Sequence, residues 1–162
     1  MDRISHPIPP IYNKASRILI LGSFPSVKSR EAQFFYHHPQ NRFWRVVSSI
    51  CQEPLPITIE EKKELLLRNG IAVWDVIKSC EITGSSDSSI KNVVPNDLTP
   101  IFEAADIRQI FVNGNTAYGL YKKYILPSTG IESIRLPSTS PANAGCNMEQ
   151  LLEAWYCIRQ MN

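Results

Sequence analysis

The densest group of side chains that could do chemistry lies at residues 34–44, in the stretch Phe-Phe-Tyr-His-His-Pro-Gln-Asn-Arg-Phe-Trp. Flat rings beside hydrogen-bonding groups suit a pocket that stacks a nucleobase and reads its edge. The last two aromatic residues of the stretch fit the buried face of a helix that follows. Tyr36, His38 and Asn41 precede that helix or begin it. We expect these three to serve a site, with an N-cap as the alternative role of Asn41.

Two shorter motifs, at residues 22–26 and 136–143, combine small polar residues with proline. The first, Gly-Ser-Phe-Pro-Ser, predicts a tight turn whose backbone N–H groups face an incoming oxygen or phosphate. The second, Leu-Pro-Ser-Thr-Ser-Pro-Ala-Asn, suits close approach to a phosphate backbone. An ordinary surface turn is the alternative for each motif. Neither has the glycine spacing of a P-loop or of a dinucleotide-binding turn, which disfavours a nucleotide cofactor.

Short apolar runs predict the strands that must position these motifs. Their brevity and β-branched content indicate buried strands at residues 17–22, 71–77, 107–112 and 131–136. Helical patterns, two of them opened by capping boxes at Thr58 and Asn147, lie between or after the strands. These patterns span residues 41–50, 59–69, 96–105, 115–124 and 147–158. The serine-rich residues 83–89 indicate only flexibility.

The alternation of strands and helices predicts an α/β fold, with three α/β/α layers around a mainly parallel four-stranded central sheet. The length of 162 residues suits one domain, preceded by a proline-rich lead-in at residues 1–16. Open parallel sheets bind ligands at the carboxyl ends of their strands. Most of the polar residues that need an explanation follow those ends, at residues 23–40, from Asp75 onward, at 113–115 and at 138–143.

Composition and charge narrow the class of protein only a little. The net charge of +2 neither demands nor forbids a polyanionic partner. No apolar run is long enough for a signal peptide or a membrane span, and we expect a soluble, cytoplasmic protein without membrane contact. The four cysteines are scattered without metal spacing. We expect reduced thiols, no metal and no organic cofactor.

Taken in order, the motifs resemble those of the uracil-DNA glycosylase superfamily, over residues 17–155. In that superfamily a G-x-[DN]-P loop after the first strand holds the catalytic water, and a loop like H-P-S-P after the last strand enters the DNA minor groove. The closer resemblance is to the hypoxanthine-DNA (deoxyinosine) glycosylase branch. Its three motifs, G-S-F-P, H-P-x-N-x-F-W and L-P-S-T-S-P-A-N, occur here at residues 22–25, 38–44 and 136–143.

The resemblance implies a monofunctional DNA glycosylase that hydrolyses the N-glycosidic bond of deaminated bases in base-excision repair. Hypoxanthine is the first candidate, with uracil and xanthine as further candidates, and we expect a monomer whose partner is DNA that contains deaminated bases. Phe24 stands where most of the superfamily has a water-activating Asp or Asn, and Ser138 stands where many members have a catalytic His. In the branch it resembles, the asparagine of H-P-x-N takes the main catalytic role, which maps onto Asn41.

The same resemblance implies which residues form the site and how fast it works. We expect slow turnover, because an amide orients water without deprotonating it. Asp75 corresponds to a base-reading Asn of relatives, with a helix or turn cap as its alternative role, and Ser26 replaces a bulkier tyrosine, which leaves room for purines. The expected catalytic residues are Asn41, Ser23 and Ser138; the expected base-pocket residues are Phe24, Ser26, Tyr36, His38 and Asp75; the expected DNA contacts are Ser140, Pro141 and Asn143.

Three other interpretations compete with this one. The target could be uracil or a mismatched base, which only a panel of substrates decides. The protein could bind DNA on the same fold with little catalysis, since the usual Asp and His are absent. A serine hydrolase is remote, because no G-x-S-x-G motif is present.

Overall fold

The predicted parallel sheet is present in the computed structural model, which describes residues 3–160. The strands of the described chain are β1 (Arg3–Ser5), β2 (Ile18–Gly22), β3 (Ile71–Asp75), β4 (Ile77–Glu81), β5 (Lys91–Pro95), β6 (Gln109–Asn113) and β7 (Ser133–Leu136). Four of them form a sheet in the order β3-β2-β6-β7, and every neighbouring pair is parallel. The fold class predicted from the sequence is therefore confirmed.

The helices lie between these strands or after the last one. They are α1 (Val27–Ala32), α2 (Phe43–Ile50), α3 (Ile59–Arg68), α4 (Thr99–Ala104), α5 (Asn115–Tyr124), α6 (Leu126–Thr129), α7 (Met148–Trp155) and α8 (Cys157–Gln160), with a 3₁₀ turn at Asp87–Ser89. No helix within residues 3–160 is long and apolar enough to cross a membrane.

The central strand β2 is buried on both faces, as its unbroken apolar sequence predicts. Because side chains alternate along a strand, Ile18 and Ile20 enter the apolar cluster that includes Val46 of α2 and Trp155 of α7. Leu19 enters the opposite cluster, which includes residues of α4 and α5. Two apolar layers thus cover the two faces of the sheet and fix the carboxyl ends of its strands at one edge.

Both predicted capping boxes are present. The backbone N–H of Glu61 donates to Thr58 Oγ1 over 3.1 Å, and the backbone N–H of Thr58 donates to Glu61 Oε1 over 2.9 Å. Asn147 and Gln150 exchange the same two bonds at 2.9 Å each. These signals are local, which is why the sequence alone locates them well.

A second, antiparallel sheet of order β1-β4-β5 was not expected from the sequence. The apolar run at 71–77 was interpreted as one strand, but β3 ends at Asp75, and Ile77 begins β4 in the other sheet. Asn96 was expected to cap a helix, yet that helix begins at Thr99. The buried Asn96 amide instead donates to the carbonyl oxygens of Asp75 (2.9 Å) and Ile77 (3.2 Å), and thereby joins the end of β3 to the start of β4.

The proline-rich lead-in packs against the rest of the fold over its described part. Ile8 and Ile11 are buried in the same cluster as α2, and Ile11 forms an antiparallel bridge with Val73. The indole N–H of Trp74 donates to the carbonyl of Ile8 over 3.1 Å. Residues 1 and 2 of this segment lie outside the described residues.

Candidate active site

A cavity of about 360 Å³ opens at the carboxyl ends of β2, β3 and β6. Its lining comes from the turn at residues 22–26, from Tyr36 and Asn41, and from the ends of three strands and their loops. The other lining residues are Ser29, Phe35, Asp75, Ser85, Ser86, Asp87, Ser88, Asn113, Ser138, Thr139, Ser140 and Ala142. The volume lies in the range of pockets that hold small organic ligands.

A second cavity, of about 620 Å³, adjoins the first and shares Asp87, Asn113, Ser138, Ser140 and Ala142 with it. It runs along the start of α5 and the loop after β7, and Asn143 lines it. The two cavities together form an enclosed pocket next to an open groove.

Gly22 is required by the close packing at the floor of the pocket. A Cβ at this position would lie 2.4 Å from Asp75 Oδ1 and 3.0 Å from the hydroxyl oxygen of Tyr36. The turn after it is fixed to the end of β3, because the N–H groups of Val76 and Ile77 donate to the carbonyls of Gly22 (2.8 Å) and Ser23 (3.1 Å).

Asn41 lines the pocket and also stabilises the start of α2. Its Oδ1 accepts the backbone N–H of Phe43 over 2.9 Å, but the N-cap of α2 is Arg42, so the alternative role of Asn41 as the N-cap is not what the structure shows. One lone pair of Oδ1 is used in this bond, and the amide NH₂ has no partner within residues 3–160. Asn41 therefore offers the pocket an oriented donor and one remaining acceptor direction.

Arg42, for which the sequence gives no signal, connects the turn before α2 to the loop after β7. Its guanidinium donates to the carbonyls of Cys146, Asn143 (3.1 Å) and Ser140 (3.3 Å), and its backbone N–H donates to the carbonyl of Thr139 over 3.0 Å. The side chain next to Asn41 thus fixes the loop after β7 against the pocket.

The loop after β7 is ordered by its own polar groups. Asn113 Nδ2 donates to Thr139 Oγ1 over 3.0 Å, and the N–H of Thr139 donates to Asn113 Oδ1 over 3.1 Å. The N–H of Ser140 donates to the Ser138 hydroxyl oxygen over 3.1 Å, and Asn143 Nδ2 donates to the carbonyl of Ser138 over 3.0 Å. The loop is therefore in a defined conformation before any ligand binds.

Asp75 lies at the floor of the pocket, and its partner comes from the lead-in segment. Its carboxylate oxygen Oδ2 is 2.7 Å from Nε2 of His6, and both side chains are buried. No sequence signal identified His6, because the contact spans 69 residues along the chain.

Tyr36 adopts a left-handed backbone conformation, with φ of 51°. Its ring stacks on Phe43 with centroids 4.0 Å apart, and its buried hydroxyl has no hydrogen-bond partner among residues 3–160. Burial raises the pKa of this hydroxyl, the nearby charge of Asp75 raises it further, and the neighbouring Asn113 side chain partly opposes both.

Asp87, from the serine-rich segment, lies at the rim shared by both cavities. Asp87 is exposed as a whole, but protein atoms around its carboxyl displace water and raise the pKa, while the side chains of Thr116 and Ser23 beside it lower the pKa. The serine-rich segment indicated only flexibility in the sequence, so this acidic group at the site was missed.

Most of the predicted site residues are brought together at the pocket. Those that line it are Asn41, Ser23, Ser138, Phe24, Ser26, Tyr36, Asp75 and Ser140. His38 lines neither this pocket nor the groove, and its Nδ1 accepts the N–H of Gln40 over 3.1 Å within its own turn. The structure therefore does not bring His38 to the pocket with the other expected base-pocket residues. Pro141 also lies outside both linings, between two residues of the groove wall.

The family model that matches this chain covers residues 9–158 and is described as the Uracil DNA glycosylase superfamily. The chain belongs to that superfamily. The family assignment made from the three motifs is therefore confirmed, and with it the class of DNA glycosylases.

Two curated relatives of this superfamily member are named hypoxanthine DNA glycosylase. The protein from Methanosarcina barkeri is 36% identical over 137 residues, which is 83% of this chain and 85% of that protein. The protein from Methanosarcina acetivorans is 38% identical over 142 residues, or 86% of this chain and 89% of that protein. A solution NMR structure of a Methanosarcina acetivorans protein has a TM-score of 0.82 and 34% identity, over 97% of this chain and 98% of that one.

The described residues contain no group of three or more His, Cys, Asp or Glu side chains that could hold a metal ion. All four cysteines are free thiols. The polar side chains of the pocket are hydroxyls, amides and two carboxylates, a donor set suited to hydrogen bonding with an organic ligand.

Proposed function

We propose that this protein excises hypoxanthine from DNA by hydrolysing the bond between the base and its deoxyribose. The observation that carries the proposal is the enclosed pocket lined by Asn41 and Asp75, which opens beside a groove walled by the loop after β7. The names of the two Methanosarcina relatives support the same substrate. Xanthine and uracil are further candidates for the same pocket.

The target bond is hidden inside a duplex, so the nucleotide must leave the helix before it can react. In our proposal the extruded base enters the 360 Å³ pocket while the DNA backbone lies in the adjoining groove. The deoxyribose then lies at the rim that the two cavities share. Ser140, Pro141 and Asn143 contact the DNA from the preformed loop.

Breaking the glycosidic bond builds positive charge on the sugar, so the site must stabilise that charge and position a water molecule. We assign the water to Asn41, whose Oδ1 retains one acceptor direction beside the bond from Phe43. Ser23 and Ser138, whose side chains line the same pocket, supply further hydrogen bonds to this water. No group here removes a proton as strongly as a carboxylate would, which accounts for the expected slow turnover.

Asp87 adds a negative charge at the shared rim. We propose that its carboxylate faces the sugar and stabilises the oxocarbenium character of the transition state. Phe24 stands where most of the superfamily has an Asp or Asn, so that polar group is absent from the first turn. In our proposal Asp87 replaces part of its electrostatic effect.

The decisive experiment measures base release from duplexes that carry hypoxanthine, uracil, xanthine or only undamaged bases. We expect hypoxanthine to be released fastest and undamaged adenine not to be released. Tight binding without release of any base would favour the alternative of a DNA-binding module on this fold. Release of uracil alone would favour the uracil-specific alternative. The proposal includes a monomeric, cytoplasmic enzyme, and light scattering during size-exclusion chromatography tests its oligomeric state.

A further inference from the structure

Two cationic side chains converge on the ring of Tyr118, in the first half of α5. Lys122 Nζ lies over this ring at 5.2 Å from its centroid, and the guanidinium carbon of Arg135 lies over it at 5.4 Å. Both distances are in the range of cation–π contacts. Lys122 follows Tyr118 by one helical turn, whereas Arg135 comes from β7. We call Lys122 and Arg135 the cation pair.

No carboxylate neutralises the cation pair within residues 3–160. Both residues are exposed, and neither takes part in a salt bridge. The sequence of α5 contains no Asp or Glu, and Asp87, the acidic residue that lines the same groove as Arg135, forms no ion pair with it. Two like charges at one ring repel each other, so an anion bound between them would be stabilised by both.

The cation pair borders the open groove that lies beside the pocket. Arg135 lines this groove together with Ser138 and Ser140 of the loop after β7. Since Leu136 packs in the same apolar cluster as α2, the alternation of side chains along β7 directs Arg135 to the opposite face, toward α5. The surface along which we propose that the DNA lies is therefore continuous with the two cations.

The distance along α5 indicates which part of the DNA could reach the cation pair. Lys122 lies seven residues after Asn115, the first residue of the helix. At 1.5 Å per residue, this separation is about 10 Å along the helix axis. One strand of B-DNA advances 3.4 Å per nucleotide, so 10 Å corresponds to about three nucleotides. The cation pair is thus placed for the DNA that flanks the extruded nucleotide, and not for the base itself.

We infer that the cation pair binds a backbone phosphate of the DNA, a few nucleotides from the extruded base. The guanidinium of Arg135 and the ammonium of Lys122 donate hydrogen bonds to the phosphate oxygens, and Tyr118 is a positioning residue that holds both cations beside the groove. This inference rests on the proposed function and adds to it a DNA contact outside the pocket and the loops around it.

The chemistry of the cation pair suits a phosphodiester that belongs to a bound DNA strand. A guanidinium matches two phosphate oxygens at once, and an ammonium adds a compact charge. The cation pair is open to water, so a free phosphate ion gains little from it. A phosphate in DNA that the pocket already holds is present at a high effective concentration, and the same contact then adds to the affinity.

The first test measures how tightly the full chain binds an undamaged duplex, by fluorescence anisotropy at several salt concentrations. Lys122→Ala and Arg135→Ala should each weaken binding about three- to tenfold at low salt and reduce the slope of log affinity against log salt by up to about 1. Lys63→Ala is the matched control, because it removes an exposed lysine from α3, on the other face of the sheet. It should bind as the parent does.

The positioning role of Tyr118 is tested by a pair of variants. Tyr118→Phe keeps the ring and should keep the parental affinity, whereas Tyr118→Leu keeps both charges but removes the ring and should weaken DNA binding several-fold. Urea unfolding of both variants measures any loss of packing separately. A structural role alone would lower the stability of Tyr118→Leu and leave the affinity and the salt slope of the folded protein unchanged.

A second test locates the contact along the DNA. Single-turnover release of hypoxanthine is measured against protein concentration, on duplexes with two long flanks or with one flank shortened to a single base pair. With long flanks, Arg135→Ala should raise the protein concentration that gives half the maximal rate and leave the maximal rate nearly unchanged. The difference from the parent should disappear when one particular flank is shortened and persist when the other is. Persistence with both would show that no flanking phosphate is bound.

The outcomes separate this inference from the proposed function. If the parent releases no hypoxanthine, the proposed function is wrong, and the anisotropy measurements still decide whether the cation pair binds DNA. If the parent releases hypoxanthine but both alanine variants match Lys63→Ala in affinity and salt slope, the cation pair binds no phosphate and the proposed function stands. Weaker binding by the alanine variants and by Tyr118→Leu, with parental binding by the two controls, supports the phosphate site.

Discussion

The 138–143 loop and the deep wall of the pocket, formed by Asp75, His6 and Tyr36, differ in how their polar groups are satisfied. In the loop, Ser138, Thr139 and Asn143 hydrogen-bond to one another or to Asn113. In the deep wall, Tyr36 has a buried hydroxyl without a partner, and Asp75 keeps one oxygen free. The difference indicates that the loop is a preformed surface and that the wall gains its full set of hydrogen bonds only when a ligand is present.

The largest expected effect concerns Asn41, which faces the wall from the start of α2. Asn41→Ala should slow excision by about two to three orders of magnitude, because the positioned water is lost. Since Oδ1 also accepts the backbone N–H of Phe43, loss of this hydrogen bond should lower the free energy of unfolding by about 1 kcal/mol. Single-turnover kinetics and urea unfolding measure the two effects.

Asn41→Ser is the control for this prediction, because serine can still accept the backbone N–H of Phe43. It should restore the stability but not the rate. A rate in Asn41→Ala within a few-fold of the parent would remove Asn41 from the catalytic machinery.

The next-largest expected effect concerns Arg42, which hydrogen-bonds to the loop and orders it. Arg42→Ala removes the guanidinium that donates to three loop carbonyls. We expect excision to slow about tenfold, chiefly through weaker DNA binding. Hydrogen exchange of the backbone amides at residues 138–146 should become faster. Arg45→Ala, an exposed arginine on the same helix, should change neither quantity. Unchanged exchange in Arg42→Ala would contradict the proposed ordering of the loop.

Asp87 lies at the rim between the two regions. Its carboxylate should speed excision and lower the free energy of unfolding. Asp87→Asn should slow excision several-fold at neutral pH, because the negative charge near the sugar is lost. Protein atoms around this carboxyl displace water and raise its pKa, so proton binding favours the folded state and ionisation disfavours it.

The raised pKa of Asp87 predicts how Asp87→Asn changes the free energy of unfolding. The variant should unfold at slightly higher urea concentration than the parent at pH 7, and the difference should shrink as the pH falls toward the usual aspartate pKa of 3.8, because the carboxyl in the folded state binds its proton above that pH. Urea titrations at several pH values measure it. A variant that is less stable than the parent at pH 7 would show that the carboxylate stabilises the fold.

The smallest effect is expected from the loop itself. Asn143→Ala and Ser140→Ala should each weaken DNA binding by the same few-fold factor at low and high salt, because neutral side chains release no counterions, while the single-turnover rate of bound substrate stays close to that of the parent. Fluorescence anisotropy at two salt concentrations measures the affinity. If both variants bind as tightly as the parent, the assignment of the loop to DNA contacts is wrong.

Much of the fold could be predicted because its signals are local. The apolar residues of β2, the capping box at Thr58 and the turn at Gly70 each involve neighbours within a few positions. The second sheet could not be predicted in this way. Its strands are short and partly exposed, and β1 lies in a segment whose prolines indicate only a lead-in.

In the candidate site, too, the sequence identifies residues of short motifs but not the direction in which each side chain points. Asn41, Ser23 and Ser138 were identified because they belong to compact motifs that resemble those of a known superfamily. His38 belongs to one of these motifs as well, but the turn directs its ring toward Gln40, away from the pocket. Adjacency in a motif does not determine which side chains face a cavity.

The sequence by itself determined the parallel sheet, the family and the three loops that meet at one sheet edge, because these depend on periodicity and on motifs of consecutive residues. Only the tertiary structure decided that His6 lies against Asp75, that Asp87 reaches the rim of the pocket and that Tyr36 has a buried hydroxyl without a partner. These contacts join residues that are distant along the chain. Their geometry depends on how the two sheets and the lead-in pack, which no local pattern encodes.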